Sequence, residues 1–222
     1  MSHKLHNYST ILFPFRDHVQ HLFETKHLQL LHKTSGGKAY NELFKVGMDS
    51  STVFHDKFYN ALRGGDLDYF VETYRIFIET FVSTFILKDK EILYQTTPTF
   101  RVHLPGNLAV GAFHKDSEFN HPEGEINFII PLTYAYDTNT VWAESEPDKA
   151  DFQPINMEYG QLLQFNGNKC THGNKVNDTP HTRVSLDFRI LPLKYYNPES
   201  AKSSITKGTK FTIGNYYSQL EL

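Results

Sequence analysis

His114-Lys115-Asp116 sets an imidazole and a carboxylate two positions apart, and His172 and Arg183 follow later in the chain. Two imidazoles and one carboxylate can take one face of an octahedral ion such as Fe(II) and leave three positions open. An arginine adds a planar fork of donors that fits a carboxylate in two places. Together the four side chains would hold a metal ion and an organic acid side by side, which points to a class of reaction.

An H-x-D/E match is common in itself. With 12 His and 25 acidic residues in 222 positions, chance supplies on the order of one match. A second match, His121-Pro122-Glu123, is indeed present. Context favours His114 and Asp116. A strand projects alternate residues to one side, and NLAVGAFHKD is expected to supply such a strand end, whereas Pro122 would disturb a ladder. His172 lies in CTHGN, where it would open a new strand after a tight turn, and Gly173 would leave room beside a metal.

In HTRVSLDFRI, Val184, Leu186, Phe188 and Ile190 alternate with Arg183, Ser185, Asp187 and Arg189. One face of this strand joins the core. The other would line a ligand cavity, with Arg183 and Ser185 as a carboxylate clamp. Arg189 is expected farther toward the barrel end, paired with Asp187.

The elements that must position these groups fall into two textures. Residues 1–90 read mainly as helix, with apolar positions recurring at three-to-four spacing from Ser9 to His32, Thr52 to Leu62 and Asp66 to Leu87. Gly36-Gly37 and Gly64-Gly65 mark breaks, and the helices are expected to form a packing buttress. Residues 91–195 carry TFRVHLP, NLAVGAF, EINFIIPLTY, NTVWAES, FQPINM, QLLQF, CTHGN and HTRVSLDFRI, short runs bounded by turn residues. That pattern predicts a double-sheet jelly roll. Residues 196–222 form a tail in which KFTIGNYY would add an edge strand or cover an opening. The expected architecture is a single mainly β domain, 1–222, with N-terminal helices.

Composition narrows the function classes. With 39% hydrophobic and 21% charged residues the chain reads as an ordinary globular protein. A formal charge of -3 gives no reason to expect nucleic acid or an anionic membrane as partner. One cysteine, Cys170, precludes an internal disulfide. MSHKLHNYSTILFPF lacks a signal-type apolar run, and no stretch reaches the ~20 apolar residues of a membrane span. A soluble, cytoplasmic setting is the expectation.

His114-x-Asp116, His172-Gly173 and Arg183-x-Ser185, in that order, resemble the Fe(II)/2-oxoglutarate-dependent dioxygenases. The segment RVHLPGNLAVGAFHKDSEFNHPEGEINFIIPLT, followed by VWAESEP and LLQFNGNKCTHGN, is similar to the subgroup named for a streptomycin-biosynthesis protein. The resemblance implies a double-stranded β-helix (a cupin-like jelly roll) with Fe(II) at its mouth. It implies His114, Asp116 and His172 as catalytic metal ligands, Arg183 on the distal carboxylate of 2-oxoglutarate, and Ser185 in support. Asn127, on the polar side of EINFII, would neighbour the cofactor. The implied reaction couples decarboxylation of 2-oxoglutarate, with O2, to hydroxylation or another C–H oxidation of a small polar metabolite. Asp116 favours hydroxylation over halogenation, for which related enzymes replace the carboxylate by a small residue.

Substrate-facing candidates are Arg101 and His103, which alternate on one run, and Trp142 with Glu144, which share a face in VWAES. Tyr216 and Tyr217 would close the site, and Cys170 is expected to be structural. Two alternatives use the same residues: a redox-neutral cupin-like metalloenzyme and a non-catalytic small-molecule binding protein.

Overall fold

Alternation from Arg183 to Ile190 is what a strand with two unlike faces requires, and these residues form part of the longest strand among the described residues. The fold is taken from a computed structural model, which describes residues 3–34, 44–45, 48–109, 112–205 and 208–220. In chain order the strands are β1 (His3–Asn7), β2 (Phe44–Lys45), β3 (Met48–Thr52), β4 (Ile92–Gln95), β5 (Thr99–His103) and β6 (Ile126–Pro131). They continue with β7 (Trp142–Ala143), β8 (Gln153–Pro154), β9 (Gln161–Phe165), β10 (His172–Gly173), β11 (Arg183–Pro192) and β12 (Tyr217–Gln219). The α-helices are α1 (Phe15–Phe23), α2 (Val53–Gly64) and α3 (Asp68–Ile76).

Seven strands make one antiparallel sheet in the order β1-β9-β6-β11-β4-β12, with β5 also on β11. β11 is its spine. One edge pairs with β6 from Ser185↔Pro131 to Ile190↔Ile126. The other pairs first with β5, Arg183↔His103 to Asp187↔Thr99, and then with β4. A smaller sheet, β10-β7-β8, lies against it.

The two faces of the large sheet do different jobs. Val184, Leu186, Phe188 and Ile190 of β11, with Phe128 and Ile130 of β6, share one core with Phe15, Phe58, Phe70 and Phe77. Ile129, Leu163 and Phe165 on the opposite face share a second core with Val141, Ala143, Ile155 and Met157 around the small sheet. Helices, large sheet and small sheet therefore stack as three layers, and the polar face of β11 looks into the gap between the sheets. The protein is mainly β with a helical layer, as the sequence suggested.

Several expectations shift at element level. The predicted helix from Ser9 to His32 is shorter: α1 stops where Glu24 turns to φ 54, and a 3-10 turn, Leu28–Lys33, follows. The N-terminus instead supplies β1, paired with β9. The third helical stretch is present, but beyond α3 it widens to π-helical spacing over Phe77–Leu87. Gly36 and Gly37 lie outside the described residues. NLAVGAF forms no strand among the described residues: Ala109 takes a positive φ of 56, which a strand does not tolerate, and Val110 and Gly111 are not described. No helix of the described residues is long and apolar enough to cross a membrane.

Candidate metal centre

Alternation along one strand does not bring the three candidate ligands together. A single antiparallel bridge does. His114 N–H donates to the His172 carbonyl at 2.9 Å, and His172 N–H donates back at 3.0 Å. This sets the imidazoles side by side with ring centroids 4.7 Å apart. The chain then turns into a short 3-10 helix, Asp116–Phe119, and Asp116 N–H donates to the Gly167 carbonyl at 2.9 Å. The carboxylate of Asp116 so enters from a turn and not from the strand end expected of NLAVGAFHKD.

Asp116 Oδ1 lies 3.4 Å from His114 Nε2 and 3.7 Å from His172 Nε2. Adjacent ligands on an octahedral ion with ~2.1 Å bonds are about 3 Å apart, so this donor set fits a divalent metal with little adjustment. The outer nitrogens are committed: His114 Nδ1 donates to the Ala112 carbonyl at 2.7 Å and His172 Nδ1 to the Cys170 carbonyl at 3.1 Å. A carbonyl only accepts, so the hydrogen sits on Nδ1 and the Nε2 lone pair is free for a metal. Cys170 is buried and contributes here through its backbone.

The electrostatics suit a cation. Burial alone would raise the Asp116 pKa, but Arg189, His114 and His172 outweigh it and hold the carboxyl well below its usual range. Burial lowers the pKa of His172, which favours the neutral imidazole. For His114 burial pulls the same way, but Asp116 and the Ala112 carbonyl outweigh it and raise its pKa.

Arg183 and the two histidines of the cluster line one cavity of ≈ 90 Å³, together with Arg101, Asn127, Asn174, Asp187 and Arg189, while Asp116 is buried behind the imidazoles. One buried water needs only ~10–15 Å³ on this measure, so there is room for a small molecule. Arg183 is 3% exposed. Its Nη1 donates to Ser185 Oγ at 3.0 Å and its Nη2 to Asn174 Oδ1 at 3.3 Å. Its Nε is buried with no hydrogen-bond partner among the described residues. Burial lowers the Arg183 pKa to about 10. A guanidinium kept in so dry a place with an unused donor is suited to an incoming anion.

The structure does not bring every sequence candidate into this cavity. Arg101 lines it, ion-paired through Nε to Asp187 Oδ2 at 2.7 Å. Asn127 lines it, but its amide serves Asp116: Nδ2 donates to Oδ2 at 2.6 Å, while Oδ1 accepts from Gly167 N–H at 3.1 Å. A Cβ on Gly167 would stand 2.8 Å from that amide, so only glycine permits this approach. His103 is fully buried beside Arg183, between the carbonyls of Asn107 and Asn139, and burial with the Arg183 charge lowers its pKa to about 4.

Trp142 does not line the cavity: its Nε1 donates to the Asp137 carbonyl, and the Lys175 ammonium sits 3.3 Å from the ring centroid. Glu144 is buried and accepts the backbone N–H groups of Thr171 at 2.6 Å and Ala150 at 3.0 Å, so it ties down the approach to His172. The expected pairing of Arg189 with Asp187 is also corrected. Asp187 is taken by Arg101, and Arg189 reaches Asp116 Oδ2 through Nη2 at 2.9 Å and Nε at 3.0 Å. In the rival motif Glu123 pairs with Lys169 at 3.3 Å, whereas His121 pairs with Glu125 at 2.7 Å. Tyr216 and Tyr217 do not line the cavity; they pack behind Asp116, on Arg189 and Glu125.

Fold and site define a two-sheet β protein, backed by helices, with a His-Asp-His metal-site-like group between its sheets. The chain is 40% identical over 170 residues to the streptomycin biosynthesis protein StrG of Streptomyces griseus, covering 76% of this chain and 77% of that one. It belongs to the StrG family. No family model matches the sequence. Among solved structures, a non-heme monooxygenase, the ThoJ–Ni complex, aligns with TM-score 0.50 and 11% identity over 99% of this chain and 85% of the other, which shows a shared fold. AviO1 from Streptomyces viridochromogenes Tue57 aligns with TM-score 0.48 and 13% identity over 88% and 92% of the two chains.

Proposed function

We propose that this protein is a non-haem Fe(II)/2-oxoglutarate-dependent oxygenase acting on a small polar metabolite. The observation that carries this reading is one cavity lined by His114, His172 and a buried Arg183 with an unused donor, with the Asp116 carboxylate close enough to both imidazoles to complete a three-ligand set. The fold shared with a non-heme monooxygenase and membership of the StrG family support it.

His114, Asp116 and His172 would hold the Fe(II), and Arg183 with Ser185 would bind the distal carboxylate of 2-oxoglutarate. When bound, iron and the 2-oxo acid supply the oxidising power for attack on a substrate C–H through oxidative decarboxylation with O2. The protein's own work is positional. The Nδ1–H groups of the histidines fix ring orientation through Ala112 and Cys170. Arg183 sets the distance between the bound acid and the metal side of the cavity, and the apolar walls Val141, Phe165 and Phe188 exclude water from it. Arg101 and Asp187, the remaining charged pair in the cavity, offer one donor and one acceptor edge to a polar substrate.

The test is succinate formation from 2-oxoglutarate under Fe(II), ascorbate and O2, with and without a metabolite panel. Turnover is expected in the parent protein and abolished in Asp116→Ala. Substrate conversion without consumption of 2-oxoglutarate would favour a redox-neutral metalloenzyme, and binding without conversion a non-catalytic role.

A further inference from the structure

We propose that Arg189 is the positioning residue of the metal carboxylate: it locks Asp116 Oδ2 so that Oδ1 alone faces the two imidazole nitrogens. The inference rests on the metal reading above and adds what sets the geometry of that site.

Arg189 stands opposite Asn127 in the β11–β6 register. Both reach the same oxygen, Arg189 through two nitrogens at 2.9 and 3.0 Å and Asn127 at 2.6 Å. A carboxylate oxygen has two lone pairs, so three donors saturate Oδ2, and it has nothing left to offer a metal. Oδ1 is the atom nearest both Nε2 groups. Asn127 alone would hold Oδ2 by one neutral bond and leave the carboxylate free to rotate. The guanidinium, charged and planar, removes that freedom.

Arg189 is itself braced from the far side. Its Nη1 donates to Tyr216 Oη at 3.3 Å, and Tyr216 donates on to Gln95 Oε1 at 2.9 Å. Its Nε lies 3.6 Å from Glu125 Oε2, and Glu125 is held by His121 at 2.7 Å and by the Tyr217 hydroxyl. Asp116, His121 and Glu125 also come within ligand distance of one another. The cation in that second cluster is Arg189 itself, so the acidic residues there serve the arginine. Tail residues 216 and 217 thus act on the metal site through one side chain.

The experiment titrates Co(II) into the parent protein, Arg189→Met and Arg189→Lys by calorimetry, with the Co(II) absorption spectrum as a second readout. Loss of an outer-sphere partner typically weakens metal binding by roughly 10–100-fold. Arg189→Met is expected in that range with an altered spectrum, and Arg189→Lys, which keeps charge without the fork, in between. Parent-like affinity and spectrum in both folded variants would overturn the inference, even if their melting temperatures fell, because Arg189 would then be purely structural. If Arg189→Met does not fold, Arg189→Lys decides. A parent protein that takes no Co(II), or an Asp116→Ala that binds it equally well, would overturn the metal reading and this inference with it, so the two failures are told apart.

Discussion

At the scale of single residues, Arg183 and Arg189 show how two arginines on one strand face acquire different work. Both project from β11 toward the cavity, yet Arg189 is saturated by Asp116, Tyr216 and Glu125, while among the described residues Arg183 has only neutral oxygens in hydrogen-bond reach. Burying a cation without a carboxylate costs stability, and the lowered pKa of Arg183 has burial as its cause. Under the proposed function that cost is offset when the carboxylate of the co-substrate arrives. Arg183→Met should therefore leave the melting temperature of the ligand-free protein unchanged or raised. The 2-oxoglutarate requirement of the same variant should rise at least about 30-fold, since removing one partner of a buried charge pair costs roughly 2–5 kcal/mol. Differential scanning fluorimetry and 2-oxoglutarate saturation curves read the two effects separately. A fall of several degrees with an unaltered requirement would make Arg183 a structural residue.

At the scale of elements, the helical layer holds β11 flat against the site, and Phe58 is its keystone. The ring is fully buried on α2, stacked on Phe100 of β5 at 4.2 Å and edge-on to Phe70 of α3 at 5.5 Å. Phe58→Ala should cost about 3–5 kcal/mol, measured by urea denaturation; a loss below ~1 kcal/mol would show that the helices do not buttress the sheet. Elements of this kind were legible in the sequence because their physics is periodic. QLLQF is β9, and the alternation after Arg183 is β11 with its faces as expected. β1 was not legible: it is a half-exposed edge strand with little apolar alternation, and the neighbouring Ile11 and Leu12, counted there as helix face, are 89% and 71% exposed. Trp142 looked substrate-facing because type and face can be read from sequence, but the Lys175 that covers it cannot. The Arg189–Asp116 pair was illegible for the same reason, since it joins a strand to a turn that only the assembled sheets bring into contact.

At the scale of the whole molecule, the three candidate ligands come from both sheets and would add a polar link to the apolar core the sheets share. His172 belongs to the small sheet, whereas Asp116 is fastened to Asn127 and Arg189 of the large one. A metal between them therefore joins the two layers, and in the unfolded chain the ligands are scattered and form no such site. Binding to the folded state alone stabilises by about 2.7 kcal/mol at a free metal concentration 100 times Kd. For a chain of this size 1 kcal/mol moves the midpoint by roughly 2–4 °C, so Ni(II) at that level should raise the melting temperature by about 5–10 °C, and chelation should reverse it. Asp116→Ala and His172→Ala should each abolish most of the rise, because either leaves only two ligands. A rise that persists in both variants would place the metal elsewhere, and the metal would then add nothing to the apolar cluster of Ile129, Val141, Leu163 and Phe165 that already couples the sheets.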